Sequence, residues 1–398
     1  MANTFDFICT LGIGKETEKF KPYEEKRFNS GWTNRTLKFN AISGANRHML
    51  EIKGGCWEDG HGSVMTFSKP PEGETRGGEK LEIPWGERNN KAQIDKVANF
   101  RKFVVDLEIP GRRYALKKIV DGEATDETYE VAGVGTVEDA EKALKASDEK
   151  RHEFIAEWDF ATFVHKLVSS EKTKGVKFRV QGNINISEYE GKFYQHFEPT
   201  RIYRATDDAE PKVEASININ YGKGAIDDGS VEEKGRYYIN GYTFNYDSQR
   251  KKQIPCPVSL VLPVGKDEKS AAYVEVLKRN FTVNDIDGNI CKELTVKVDC
   301  VNGAEILELT EDMLSDNEKD LLIIGAITME DIARDRGQQV YGDRIREFVI
   351  TGFAKGWLSG SKPTAYTTDD FVLLPLETTS VDTVTNDIFS DDDDDIEI

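Results

Sequence analysis

Alternating hydrophobic and polar residues dominate the first third of the chain and predict β-strands. In the clearest case, RTLKFNAI (residues 35–42) is separated by the turn SGAN from RHMLEIKGG (residues 47–55). Turn residues between two alternating runs are typical of a β-hairpin. A further run, FRKFVVDLEI (residues 100–109), ends at Pro110-Gly111, which is a strong stop signal. We therefore predict a β-rich N-terminal domain over residues 1–130.

After residue 135 the spacing of the hydrophobic residues becomes that of a helix. Residues 136–158 are rich in Ala, Glu and Lys, lack Gly and Pro, and begin with Thr136, which can cap a helix. In residues 159–172, apolar positions recur every three or four residues and form one apolar face. These two segments predict a helical connector over residues 136–174.

Beyond residue 175 the period returns to two, and short strands follow closely. The predicted strands cover residues 176–205, 212–221, 235–247, 255–264, 292–301 and 346–358, with a helical patch in residues 309–337. Short strands with Gly at bends, such as Gly182, favour a small barrel or sandwich over a parallel sheet. We predict one β domain over residues 175–360 and an aperiodic tail over residues 361–398. The predicted fold class is mainly β with some α (β-rich α+β).

The composition describes a globular chain with a surplus of acidic residues. No apolar run approaches the length of a membrane span, and the N-terminus lacks the basic and apolar regions of a secretory signal. The five cysteines are scattered and show no C-x-x-C spacing, which predicts reduced thiols in a cytoplasm. The net charge of −19 argues against a general affinity for phosphate backbones. Nucleic-acid binding would therefore require a local basic face.

No enzyme signature is present. The chain has no G-x-x-x-x-G-K-[ST] phosphate loop, no G-x-S-x-G elbow and no H-E-x-x-H motif. GIGKET (residues 12–17) is more simply a turn after a strand, and the neighbouring carboxylates Asp227 and Asp228 are more simply solvated. We therefore expect a protein that is not an enzyme and that uses no cofactor and no metal.

Aromatic and basic residues alternate in the strands after residue 175. Aromatic residues on half-buried strands are most often core, but rings beside exposed cations are typical of non-specific single-strand binding. In that mode bases stack on rings, each worth roughly 1–3 kcal/mol, while cations follow the backbone. The candidate stacking residues are Tyr194, Tyr238, Tyr242 and Tyr246. The candidate phosphate contacts are Lys177, Arg179, Lys192, Arg236, Arg250, Lys251 and Lys252. Near the first hairpin, Trp32, Arg35, Lys38 and Arg47 would extend the groove.

Five consecutive aspartates stand close to the C-terminus, in the sequence FSDDDDDIEI. Such a block repels itself and stays hydrated, which is typical of a disordered interaction tail or of a solubility tail. The candidate partner-binding residues are Asp391, Asp392, Asp393, Asp394, Asp395, Ile396 and Ile398.

A helix followed by GVKFRVQGNINISEYEGKFYQHFEPTRI (residues 175–202), together with this acidic end, resembles the single-stranded DNA-binding proteins of phages and prophages. The resemblance implies an oligonucleotide/oligosaccharide-binding (OB) barrel within residues 175–360, with Gly182 at the bend of its curved first strand. It implies non-specific binding of single-stranded DNA in replication, recombination and repair, in the host cytoplasm if the chain is phage-encoded. It also implies a tail that recruits replication and recombination proteins and competes with DNA for the groove.

Two other classes of protein fit the same features. A structural or assembly protein of a virus particle would also be β-rich with long Gly loops, and its tail would be a scaffold contact. A DNA-mimic inhibitor would use its acidic body to occupy the nucleic-acid site of a basic partner. Salt separates DNA binding from an apolar assembly contact, because only DNA binding should weaken steeply as salt is added. Each class is compatible with an oligomer.

Overall fold

The computed structural model describes residues 3–74, 77–231, 236–263, 268–284, 290–307, 314–329, 332, 340–353 and 360–373. Within these ranges the strands are β1 (Asn3–Gly12), β2 (Tyr23–Arg27), β3 (Trp32–Ser43), β4 (Asn46–Trp57), β5 (Ser63–Phe67), β6 (Lys80–Pro84), β7 (Phe103–Asp106), β8 (Arg151–Phe154), β9 (Lys177–Tyr189), β10 (Lys192–Arg204), β11 (Lys212–Tyr221), β12 (Ile226–Asp227), β13 (Arg236–Asp247), β14 (Lys252–Pro263), β15 (Lys292–Leu307), β16 (Val340–Phe353) and β17 (Lys362–Pro363). The helices are α1 (Lys91–Lys96), α2 (Arg112–Val120), α3 (Asp126–Ala132), α4 (Val137–Asp148), α5 (Glu157–Val168), α6 (Glu268–Phe281) and α7 (Asp316–Ile323).

Most of the strands belong to one mixed sheet. Fifteen of them are connected in this sheet, and β5 with β6 forms a separate hairpin. This architecture confirms the predicted fold class, which is β-rich with some α. The hairpin predicted from residues 35–42 and 47–55 is confirmed as well, because β3 and β4 pair antiparallel across a turn at Gly44.

Five strands of the N-terminal half pair in a cycle. β1 is antiparallel to β3, and β3 is antiparallel to β4. β4 pairs parallel with β10, β10 pairs antiparallel with β9, and β9 pairs antiparallel with β1. The helix α5 precedes the fourth strand of the cycle in the sequence and packs against β3 and β4. Residues 177–204 therefore pair with the first strands of the chain, so the predicted domain boundary at residue 175 falls inside this cycle.

A second cycle follows with the same order. β11 is antiparallel to β13, β13 to β14, and β14 pairs parallel with β16. β16 is antiparallel to β15, which returns antiparallel to β11. The helix α6 lies between the third and fourth strands, as α5 does in the first cycle. Buried side chains of both cycles, including Phe39 and Val296, form one continuous hydrophobic cluster.

The antiparallel pair β1–β11 joins the two cycles and sets two carboxylates against each other. Asp6 lies directly opposite Glu214, an arrangement that is repulsive for like charges. Arg179 and Lys212 pair with Asp6 at 2.6 and 3.3 Å, and Lys297 lies 3.4 Å from Glu214. Burial alone would raise the pKa of Asp6, but the hydrogen bond from Arg179 and the two cations hold that pKa below its ordinary value. Cations from both cycles thus neutralise the shared edge.

The predicted helix over residues 136–158 is wrong in its second half. The helix α4 ends at Asp148, and residues 151–154 form β8, which pairs antiparallel with β7. Pairing with an available strand outweighs the helix-favouring composition, because strand formation depends on tertiary context. The helices α1 to α3 were not predicted. The predicted strand pair over residues 346–358 is one strand, β16, up to Phe353, and residues 354–359 lie outside the described residues.

His48 connects the two cycles inside the shared core. Its ring lies 4.9 Å from that of Phe7 and 5.1 Å from that of Phe197, both in the first cycle. Its Nε2 lies 2.8 Å from the carbonyl oxygen of Cys300 on β15. Burial lowers the pKa of His48 to about 4 despite that hydrogen bond, and the charge of Arg346 adds to the lowering. The folded state therefore favours neutral His48.

The pKa of a histidine is ordinarily 6.5, and that of His48 in the folded chain is about 4. We predict that the free energy of unfolding falls as the pH drops from the first value to the second. The unfolded chain takes up a proton that the folded chain excludes, so stability is complete above pH 6.5 and decreases below it by roughly 2–3 kcal/mol. Urea denaturation at several pH values measures this slope. His48→Gln keeps a donor for Cys300 but cannot become charged, and its slope between pH 6.5 and 5 should be shallower. An equal slope in the variant would contradict the assignment.

Candidate nucleic-acid interface

The strand β13 carries a row of aromatic rings on its outer face. Alternate residues of a strand point to opposite sides, and Ile239, Gly241 and Thr243 are buried on the inner side. Tyr242 and Phe244 are therefore directed outwards, followed by Tyr246, which is 63% exposed. Two of the predicted stacking residues, Tyr242 and Tyr246, thus share one face.

Residues 362–373, here called the covering segment, cross this aromatic row. The ring of Tyr366 stacks on that of Phe244 with centroids 3.5 Å apart and planes at 8°. The ring of Phe371 stacks on Tyr242 at 4.6 Å and 22°. Tyr246 stands beyond both contacts, near the end of β13. The outer face of β13 therefore accepts flat rings in two places.

The covering segment is attached to the second cycle at its start and contacts both cycles at its end. At its start β17 pairs with β15, and Thr364 donates its hydroxyl to Oδ1 of Asn220, 2.8 Å away. At its end Leu373 packs against a small cluster that includes Ile186 and Ile254. A cleft of about 560 Å³ lies beside the segment, lined by the loop Gly222–Ala225, Tyr242, Ser259, Thr368 and Phe371.

Two hairpin tips meet at the far end of β13. Arg250, from the β13–β14 turn, lies 2.9 Å from Glu188 of β9 and 2.6 Å from Asp247, and all three side chains are buried. Asn245 donates a further hydrogen bond of 2.9 Å to the carbonyl of Ile186. Burial would raise the pKa of Asp247, but hydrogen bonds from the backbone and side chain of Arg250 lower it. Arg250 therefore links the two cycles, and its guanidinium is paired with two carboxylates.

Exposed lysines surround this junction. Lys192 begins β10, and Lys251 and Lys252 follow Arg250. All three are exposed, and in the described part of the chain none of them forms an ion pair. The turns themselves require unusual backbone, with φ of 51° at both Glu190 and Lys251. The turn at Glu190-Gly191 and the turn at Arg250-Lys251 thus lie at the same junction.

Three of the other predicted arginines, Arg179, Arg236 and Arg35, are paired with carboxylates. Arg179 bonds Asp6, and Arg236 lies 2.5 Å from Glu347. Arg35 is buried under α5, where it pairs with Glu25 at 2.6 Å and its guanidinium lies 3.5 Å from the ring centroid of Trp158. Lys177 donates to the carbonyl of Ala209 at 2.9 Å. The remaining predicted rings are half-buried: Tyr194 on β10, and Tyr238, whose hydroxyl donates to Glu347 at 2.9 Å.

In the first cycle, Trp32 forms part of a second aromatic group. Its ring lies so close to Gly55 that a Cβ there would be 2.1 Å from it, and it meets Trp57 edge to face at 5.2 Å. Trp57 in turn stacks on His61 at 4.8 Å. Lys38 and Arg47 are half-buried in the same hairpin. Of the predicted groove extension, only Trp32 belongs to this aromatic group, whose other members the prediction did not include, while Lys38 and Arg47 lie further along the hairpin.

Sequence reasoning missed Trp57, His61, Tyr366 and Phe371. Trp57 lies just past the end of the predicted hairpin, and the other three lie in segments without periodicity. The predicted tail residues Asp391 to Asp395, Ile396 and Ile398 lie outside the described residues.

No protein-family model matches the chain, and no curated protein matches it. None of the helices in the described ranges combines the length and apolarity needed to cross a membrane. Across the same ranges, no group of three or more His, Cys, Asp or Glu residues is placed to hold a metal ion.

We predict that Arg250→Leu lowers the free energy of unfolding by roughly 3 kcal/mol, because it leaves the carboxylates of Glu188 and Asp247 together without a cation. Lys251→Ala, one residue away and exposed, is the matched control and should change stability by less than about 0.5 kcal/mol. Urea denaturation of both variants measures the difference. If Arg250→Leu is as stable as the wild type, the structural role is contradicted and Arg250 is again a candidate phosphate contact.

Proposed function

We propose that the protein binds single-stranded nucleic acid, DNA in the first instance, through two OB-like barrels. In each half of the chain, five strands pair in a cycle that has one parallel contact and a helix before its fourth strand. This arrangement supports the proposal. A five-stranded Greek-key barrel is the OB architecture. The barrels would span residues 3–204 and 212–353, in place of the one barrel expected over residues 175–360.

We place the main binding face on the outer side of β13 and β14. In OB barrels, the second and third strands and the loops beside them bind oligonucleotides, and β13 and β14 hold those positions in the second cycle. The single observation that carries the proposal is the stacking of Tyr366 on Phe244, at 3.5 Å and 8°. A surface that accepts one flat ring face to face is suited to accepting a nucleobase.

The first barrel would extend the path through Trp32 and Trp57. These rings lie on β3 and β4, the second and third strands of their cycle. The nearby cation Lys53 is already paired with Glu51 at 3.0 Å, so this face offers rings more than charge. We propose that the protein acts in the cytoplasm, in replication, recombination or repair, and that Asp391 to Asp395 recruit partner proteins.

Phosphate contacts would be few, because the arginines near the face are paired with carboxylates. Lys192, Lys251 and Lys252 are the exposed cations at the hairpin junction. Three phosphate contacts give a slope of log K against log salt of about −2 for single strands. Binding would therefore depend on stacking more than on charge, which is consistent with the net charge of −19.

We expect Tyr246→Ala to weaken binding of fluorescently labelled dT oligomers by roughly tenfold, because one base–ring stack is lost. Polarization titrations at low salt measure the affinity, with and without residues 387–398. Tyr114→Ala is the matched control, since Tyr114 is 67% exposed but lies on α2, away from the face. Affinity should be unchanged in that control. The proposal is lost if neither the full chain nor the shortened chain binds detectably.

The variant Lys251→Gln/Lys252→Gln should flatten the salt slope from about −2 to about −0.7, because one of the three phosphate contacts remains. Titrations of the same oligomer between low and moderate salt give both slopes. Lys118→Gln on α2 removes a distant lysine and should keep the steeper slope. Identical slopes in all three proteins would show that these lysines do not contact phosphates.

A further inference from the structure

We infer that the covering segment is a built-in competitor, whose two rings occupy base-stacking positions until a single strand displaces them. This inference rests on the proposed function and specifies how the same site is regulated. The competitor works through its rings and is separate from the acidic tail. Nucleobases and the side chains of Tyr366 and Phe371 would then exclude each other from Phe244 and Tyr242.

The geometry of the contacts supports competition. A flat ligand needs the faces of Phe244 and Tyr242, and both rings are already stacked on another ring, at 3.5 Å and 4.6 Å. The ring of Phe371 also lies 6.2 Å from that of Phe244. The segment therefore covers the first two rings of the row and leaves the third, Tyr246, exposed. A single strand of nucleic acid can therefore stack first on Tyr246, which lies near Lys251 and Lys252.

The covering segment is held by few buried contacts, so it can detach from the aromatic row. None of residues 360–373 is fully buried, and seven of them are exposed. Its regular structure consists of the two-residue strand β17 and a single short turn, Thr368–Phe371, capped by Thr367 and Asp370. Segments with few buried contacts open at a small free-energy cost compared with global unfolding. The barrel beneath, by contrast, has fully buried inner residues such as Ile239 and Cys256.

Competition lowers the apparent affinity of the site. When only a fraction of the molecules has the site uncovered, the measured Kd is the intrinsic Kd divided by that fraction. Each ring stack contributes roughly 0.5–1.5 kcal/mol to the covered state. The competing contacts are apolar, so their effect should persist at high salt, whereas competition by the aspartates would be screened.

The variant Tyr366→Ala/Phe371→Ala tests the inference in the 398-residue chain. We expect it to bind labelled dT oligomers about tenfold more tightly than the wild type, at both low and moderate salt. Tyr366→Phe is the matched control, because it keeps the ring and should keep the wild-type affinity. If the wild type binds and the double variant binds equally or more weakly, the competitor is excluded while the proposed function stands. If none of the three proteins binds, both proposals fail.

Hydrogen exchange of the wild type provides a second readout that needs no substitution. The amide of Thr364 donates to the carbonyl of Cys291 at 3.2 Å, and that of Val372 donates to Asp369 at 3.3 Å. Both amides should exchange faster when unlabelled dT oligomer saturates the protein, while the amides shared by β13 and β14 should not. Unchanged or slower exchange in the covering segment, with binding established by titration, would overturn the inference.

Discussion

The double use of β1 is the constraint on which the rest of the structure depends. One edge of β1 pairs with β9 from Asn3 to Thr10, and the other edge is divided between β11, over Thr4–Ile8, and β3, over Thr10–Gly12. β11 is divided in the same way between β1 and β13. Because backbone groups in a buried strand must find partners, each cycle supplies hydrogen bonds that the other needs. The two halves are therefore coupled through their first strands.

This coupling explains why single residues connect distant parts of the chain. His48 of the first cycle bonds the carbonyl of Cys300 in the second, and Gly303 approaches Ala45 so closely that a Cβ would lie 2.0 Å from its carbonyl oxygen. At another contact, Arg250 of the second cycle pairs with Glu188 of the first. Among the arginines predicted to contact phosphates, Arg250 is the one that joins the two cycles in the described residues. Arg179 and Arg236 are paired with carboxylates inside a single cycle.

Local patterns predicted the strands well and the long-range pairings poorly. The alternation in residues 35–55 and 212–221 identified β3, β4 and β11, because each strand buries one face. The pairing of β1 with β9, about 170 residues away, leaves no local trace, and the predicted boundary at residue 175 therefore falls inside a cycle. The same alternation placed Tyr242 and Tyr246 on one face, but it could not reveal that Asp6 neutralises Arg179. Tyr366 and Phe371 lie in an aperiodic segment, where only their aromatic character is visible.

An acidic chain can hold a single strand if rings provide most of the binding free energy. Several stacked bases at roughly 1–3 kcal/mol each exceed what three exposed lysines contribute at moderate salt. A site of this kind is sensitive to anything flat that reaches it, including side chains of its own polypeptide. Control by Tyr366 and Phe371 would therefore follow from the same property that makes the face useful, since the stacking that attracts a base equally attracts a tethered ring. In such a site, any change that strengthens the stacking of a base also strengthens the stacking of the chain's own rings.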